Sequence, residues 1–298
     1  MAYHLPVLAS ESIEALAIRA EGTYVDATFG GGGHSRLILE RLGENGRLLG
    51  FDQDEDALAN VPEDGRFTFV HHNFRFLKRF LRLHRITELD GILADLGVSS
   101  HQLDVAERGF SYRFDAALDM RMNRQQEKTA ASIVNSYEPD ALQEVFSRYG
   151  EVRNAKTLAQ RIAEEREFRP IETIGAFLAA VEPVIRGHRA RYLSQAFQAL
   201  RIEVNDEMGA LQDFLGQALE LLRPGGRLVV ITYHSIEDRM VKNFFKAGNF
   251  EGRLEKDFYG NIQRPFKVIY KKALIPSEEE VRENPRARSA KLRVGEKV

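Results

Sequence analysis

The feature that most narrows what this chain can become is a rhythm in its first hundred residues. Short β-rich runs alternate there with stretches of helical periodicity. Residues 23–27, Arg47–Asp52, Phe67–His71 and Leu89–Asp95 read as strands, the last apolar except at its ends. Between them 34–42, a segment closed by Pro62, and 74–86 read as helices, with Gly43 where a C-cap would sit. Strands separated by helices pair in parallel, so the expected fold is α/β, a Rossmann-like doubly wound sheet. The rhythm stops from about residue 104 to 201, where the periodicities are helical, for example 141–149, 155–167 and 173–184. It resumes with an amphipathic helix over 205–222, a turn at Pro224-Gly225-Gly226 and a strong strand over 227–233. A helix over 235–246 and two short strands, 266–272 and 291–294, follow. The sequence predicts a discontinuous α/β domain, 1–103 and 202–298, interrupted by a helical insertion, 104–201.

Composition removes whole classes of chemistry. Cysteine is absent from the 298 residues. That excludes disulfide scaffolds, Cys-ligated zinc, iron–sulfur clusters and cysteine nucleophiles. No residues show metal-ligand spacing, so no metal is expected. The net charge of −2 means that any nucleic-acid site is a local patch. No apolar run approaches the ~18–20 residues needed to cross a membrane. The first ten residues lack a basic stretch followed by a long apolar one. A soluble cytoplasmic protein is the expectation.

The first strand runs into Thr28-Phe29-Gly30-Gly31-Gly32-Gly33-His34. Glycines there let the chain turn tightly and let a ligand approach the backbone. Asp52 ends the second strand about 20 residues later, where a carboxylate accepts hydrogen bonds from two ribose hydroxyls. A dinucleotide such as NAD and S-adenosylmethionine both fit this pairing. Ser35 stands where the NAD fingerprint prefers Gly or Ala.

Asp95 ends the fourth strand, at the edge where open α/β sheets bind ligands. Three roles fit it: a cap for the next helix, a solvated turn residue, or a carboxylate that orients an amine nucleophile or its proton. Gln102 follows as a cofactor or substrate contact, or as an exposed loop amide. The missing cysteines bear on this choice. Methylation at carbon 5 of a pyrimidine usually begins with cysteine attack on the ring. An exocyclic amine needs no covalent intermediate, only acceptors on its protons while its lone pair attacks a sulfonium methyl.

Ordered motifs run through the chain. They are Thr28-Phe29-Gly30 to Gly32-Gly33-His34-Ser35, Asp90-Gly91-Ile92-Leu93 with Asp95-Leu96-Gly97-Val98-Ser99-Ser100, Glu107-Arg108-Gly109-Phe110-Ser111, and Leu118-Asp119-Met120-Arg121-Met122. Further on come Phe197-Gln198-Ala199 with Arg201-Ile202, Pro224-Gly225-Gly226-Arg227-Leu228, His234-Ser235 with Glu237-Asp238-Arg239, and Glu283-Asn284-Pro285-Arg286-Ala287-Arg288-Ser289. In these motifs the chain resembles, over essentially its whole length, the bacterial 16S ribosomal RNA (cytosine-N4)-methyltransferases, the MraW family. The resemblance implies a class I S-adenosylmethionine-dependent methyltransferase fold with an inserted helical domain for substrate recognition. It also implies S-adenosyl-L-methionine as donor. The acceptor it implies is a cytosine in the decoding region of 16S rRNA, within the small ribosomal subunit. Cofactor contacts carry over to Gly32, Gly33, His34, Asp52, Phe74, Asp95 and Gln102, with Asp95 catalytic. Phe74 would pack on adenine or start the next helix as a core ring. Relatives can carry a larger residue at the Gly31 position. The Asp/Asn-Pro-Pro-aromatic motif of other amino-methyltransferases is absent, and Asp95-Leu96-Gly97-Val98 stands in its place.

Candidate RNA contacts are dispersed. Arg75, Lys78, Arg79, Arg82 and Arg85 form a basic stripe at helical spacing, read first as a solvated face. Arg286, Arg288, Lys291 and Arg293 bring four positive charges and no acid to 284–293. Arg186, His188, Arg189 and Arg191 cluster near the Arg201 motif. Arg191, Arg201, His234, Arg286 and Arg288 are the chosen RNA-binding residues. His234 fits a structural role equally, Ser235 with Asp238 resembles a capping box, and His4 is placed to cover the site. The partner set is 16S rRNA and no membrane, with monomer and homodimer both open. A dinucleotide-dependent oxidoreductase and a non-catalytic RNA-binding factor are the competing functions.

Overall fold

The computed structural model describes residues 6–254, 256 and 264–298. His4 lies outside them. The chain forms two compact units, one from Met1–Gly97 with Gly209–Val298 and one from Val98–Met208.

The first unit is built on a sheet. Its strands are β1 (Thr23–Asp26), β2 (Arg47–Asp52), β3 (Phe67–His71), β4 (Leu89–Asp95), β5 (Leu222–Thr232), β6 (Phe266–Val268) and β7 (Lys291–Lys297). Among the described residues their order is β3-β2-β1-β4-β5-β7-β6. β1 to β5 run parallel, and β7 lies antiparallel to both β5 and β6. This is the expected Rossmann-like sheet of class I methyltransferases. β4 is central because its Gly-Ile-Leu-Ala run is buried throughout, as a parallel strand covered on both faces requires. The chain winds outward from β1 to β3, then returns to pair β4 on the other side of β1. That reversal opens a crevice at the carboxyl ends of β1 and β4.

Several boundaries differ from the sequence reading. Pro224-Gly225-Gly226 lies inside β5, where the register against β4 jumps between Leu89 and Gly91. The glycines and a proline without an N–H suit a bulge as well as a turn. The 74–86 helix divides into a 3-10 turn, Phe74–Phe76, and an α-helix, Leu77–Leu83. The segment after β2 is a 3-10 helix, Glu55–Asn60.

The second unit is helical, with its own core. Helices Ala130–Ser136, Pro139–Arg148, Ala155–Phe168, Ile174–Val181 and Arg189–Asn205 enclose Phe146, Phe177, Leu193 and Leu200, all fully buried. Two of the sequence motifs fold into one knot here. The Arg108 guanidinium is buried and donates to the Arg121 and Met122 carbonyls at 3.0 and 3.2 Å. Asp119 accepts from the Arg121 backbone and guanidinium at 2.8–3.0 Å. Asn205 closes the knot, accepting from Met122 N–H and donating to the Met120 carbonyl, both at 2.8 Å. Met120 sits at φ +65°, a left-handed conformation that these bonds hold in place.

Candidate active site

The glycine loop joins β1 to helix Gly33–Leu39. Gly30 and Gly32 adopt left-handed backbone, φ 50° and 72°. A Cβ at Gly32 would come 2.9 Å from the Phe29 ring, whereas at Gly31 it would meet nothing within 4 Å. The open Gly31 position accommodates a larger side chain; the Gly32 position does not.

Asp26 fixes the base of the loop. Its carboxylate is buried and accepts from Ser35 Oγ at 2.7 Å and Thr28 N–H at 3.1 Å. Ser35 thus serves the loop from the position that made the NAD fingerprint imperfect. Asp52, at the end of β2, accepts from Gly30 N–H at 2.7 Å with one oxygen and Asp54 N–H at 2.9 Å with the other. Each oxygen keeps a lone pair, so a diol can still be held. Asn73 donates to Gln53 at 2.9 Å and ties the turn that carries Phe74 to the residue after Asp52. The Phe74 ring is partly exposed and packs edge-on against Phe214, with centroids 5.1 Å apart.

Asp95 closes β4. Its N–H donates to Thr28 Oγ1 at 2.6 Å. Its Oδ1 accepts from the Tyr233 hydroxyl at 2.8 Å, and its Oδ2 lies 3.9 Å from Nδ1 of His34. His34 is buried, with Nε2 3.1 Å from the Val7 carbonyl. A carbonyl only accepts, so Nε2 carries the proton and Nδ1 turns a lone pair toward Asp95. Burial lowers His34 to about 4, outweighing the Val7 bond, so the ring is neutral.

Burial raises all three strand-end carboxyls. Asp26 and Asp52 are pushed up to about 6 and Asp95 to about 7, against hydrogen bonds that pull each down. Asp26 and Glu237 push Asp95 further the same way. No lysine or arginine pairs with Asp26, Asp52 or Asp95 among the described residues. Arg36 reaches the glycine loop, but its guanidinium donates to the Gly31 carbonyl at 2.6 Å, and carboxyls that no cation pairs favour a positively charged ligand. The residues present therefore fit a sulfonium-bearing nucleoside better than a dinucleotide.

Gly32, Gly33, His34, Asp52, Phe74 and Asp95 all belong to the sheet unit, at or just beyond the carboxyl ends of its strands. Gln102 belongs to the helical unit. There it forms a capping box with Ser99, its side chain accepting from Ser99 N–H at 3.0 Å. Ser99, not Asp95, caps that helix, which removes one of the three roles open to Asp95. His234, not Ser235, caps helix Ser235–Ala247, in a capping box with Glu237. The box sits one residue earlier than the sequence spacing suggested because the helix starts at Ser235.

The basic clusters are neutralised in part. Arg75 pairs with Asp213 at 2.7 Å and Lys78 with Glu220. Lys291 and Arg293 both pair with Asp238, at 3.3 and 2.6 Å. Burial pushes the Asp238 carboxyl up, but these two cations hold it below its ordinary value. Arg201 makes a two-pronged pair with Glu207 at 2.8 and 2.9 Å. Arg189 binds Glu182. Arg191 and Arg288 are exposed, and Arg286 is partly exposed.

Sequence reasoning did not single out Thr28, Asp26 or Tyr233 as parts of the site. Tyr233 carried one signal, its place directly after the strand that neighbours β4. Thr28 carries only its place at the start of the loop, and Asp26 its place in the first strand.

Comparison with known proteins agrees with this geometry. The chain is 58% identical over 298 residues to the ribosomal RNA small subunit methyltransferase H of Bacteroides thetaiotaomicron, covering 100% of this chain and 98% of that one. It is 58% identical to the protein of the same name from Parabacteroides distasonis, covering 99% and 98%. The Flavobacterium johnsoniae protein of that name is 56% identical over 299 residues, covering 100% and 99%. The sequence profile described as the MraW methylase family matches residues 1–298. The chain belongs to the MraW methylase family.

Proposed function

We propose that this protein transfers a methyl group from S-adenosylmethionine to 16S rRNA of the small ribosomal subunit. The acceptor is the exocyclic N4 amine of a cytidine in the decoding region. The observation that carries the reading is Asp95, a carboxyl at the sheet switch point with no cation partner among the described residues, tied to Thr28 at the start of the glycine loop. The relatives' printed names, each a ribosomal RNA small subunit methyltransferase, support the substrate class.

S-adenosylmethionine supplies an electrophilic methyl group on a positively charged sulfur. The chain's residues do the rest. Gly30–Gly33 let the donor approach the backbone, and Asp52 accepts from its ribose hydroxyls. Phe74 offers an apolar ring to the adenine. Asp95 accepts a hydrogen bond from the amine, localises its lone pair and takes its proton. A carboxyl near 7 is well matched to that work at neutral pH, and a cation beside it favours its ionised form. The helical unit, Val98–Met208, recognises RNA, with exposed Arg191 as a phosphate contact. Arg286 and Arg288 act similarly on the sheet unit. Arg201 and His234 stabilise their own surroundings, because Glu207 and Glu237 already engage them.

The test is methyl transfer from radiolabelled S-adenosylmethionine to small subunits lacking the modification, followed by digestion to nucleosides. Label in N4-methylcytidine is the expected result. Label in another nucleoside overturns the acceptor, and no label with the donor bound overturns the activity.

A further inference from the structure

Resting on that methyl-transfer reading, we propose that Tyr233 is a positioning residue: its hydroxyl holds Oδ1 of Asp95 and leaves Oδ2 to face the reacting amine. Tyr233 directly follows β5, and β5 pairs with β4 so that Ile231 lies opposite Asp95. The ring packs against the core on that face of the sheet, and its hydroxyl reaches Asp95 Oδ1 at 2.8 Å. Thr28 Oγ1 holds the Asp95 N–H at 2.6 Å. The carboxyl is thus anchored at its backbone and at one oxygen.

Groups from every neighbouring element face this carboxyl. Tyr233 comes from the end of β5, Asp26 and Thr28 from the end of β1, His34 from helix Gly33–Leu39, and Glu237 from helix Ser235–Ala247. Tyr233 is the neighbour that donates a hydrogen bond to the carboxylate. Neutral His34 presents a lone pair, and Asp26 and Glu237 oppose ionisation. The tyrosine hydroxyl therefore favours the proton-accepting form as well as aiming it.

The proton balance is complete. The amine lone pair forms the N–C bond while the C–S bond breaks and sulfur keeps that pair as a neutral thioether. The nitrogen, now cationic, gives one proton to Oδ2, and Asp95 becomes the neutral acid. Removing the tyrosine hydroxyl leaves the ring and its packing but raises the pH at which Asp95 can accept that proton.

The experiment compares Tyr233→Phe with the unmodified full-length protein. Its first readout is the carbon-13 titration of the Asp95 carboxyl in ligand-free protein, assigned through Asp95→Asn. An upward shift of about one pH unit is expected from losing one hydrogen bond to a carboxylate. The second readout is kcat for methyl transfer to small subunits across pH 6–9.5. The rising limb should move up by about one unit, so that the loss deepens as the pH falls and is recovered near pH 9. Tyr233→Ala, which also empties the ring's place, should not recover. An unmoved titration, or a loss uniform across pH, overturns the proposal. If the unmodified protein methylates no RNA, the underlying reading fails, and the titration still decides whether Tyr233 governs Asp95.

Discussion

The carboxyl edge of the sheet and the basic clusters handle charge in opposite ways. At the edge, Asp26, Asp52 and Asp95 have no lysine or arginine paired with them among the described residues, each pushed upward by burial. In and near the clusters, several cations have an acid: Arg75 with Asp213, Arg201 with Glu207, Lys291 and Arg293 with Asp238. Paired charges hold elements in place. Charges kept apart from any opposite partner cost the fold stability and are retained where a ligand completes them. Charge pairing thus separates the reactive region from the scaffold more sharply than residue type does.

Four variants probe that contrast. Asp95→Ala should lower kcat by about 100-fold or more, the usual scale for a lost general base, while RNA binding is largely kept. A single-turnover assay with a parallel RNA-binding measurement checks it, and near-normal transfer would remove Asp95 from the mechanism. Asp52→Ala should weaken S-adenosylhomocysteine binding about 10-fold to 100-fold, the value of hydrogen bonds to a charged acceptor. Calorimetry reads this, with NADH as a control that should not bind.

The other two strike the basic clusters, one at a paired acid and one at surface arginines. Asp238→Ala should destabilise the protein by about 2 kcal/mol, since it strands Arg293 partly buried while Lys291 keeps access to water. Chemical denaturation measures it, and donor affinity should stay within about twofold, inside the noise of surface changes. Loss of donor affinity there would break the division between scaffold and site. Arg286→Ala combined with Arg288→Ala should have the mildest effect, a few-fold weaker RNA binding with a shallower salt dependence. An unchanged salt slope would show that this patch touches no phosphate.

Much of this architecture was legible in the sequence because its signals are local. The strands β2, β3 and β4 lie where alternating composition placed them, and the glycine loop and Asp52 appear together at strand ends. Pro224-Gly225-Gly226 suggests a turn from sequence because those residues serve turns and bulges alike; the register of β5 against β4 decides between them. The contact between Tyr233 and Asp95 joins residues 138 apart, which periodicity does not reveal. Pairing of the basic clusters was hidden for the same reason. Arg293 lies 55 residues from Asp238, and helical spacing shows only the charges on one element.

The central strand pair carries a lesson about order in time. β4 and β5 are neighbours in the sheet, yet the whole segment 96–221 lies between them in the chain. Against the short connection from β1 to β2, closing so long a loop costs only roughly 1.5 kcal/mol more by chain statistics. The larger burden is kinetic, because distant strands must search for one another. The intervening unit has a core of its own, so it can collapse first and shorten the search. During refolding, amide protection should therefore reach β1 and β2 early and β5 late. The place where Tyr233 meets Asp95 would be among the last parts of the molecule to exist.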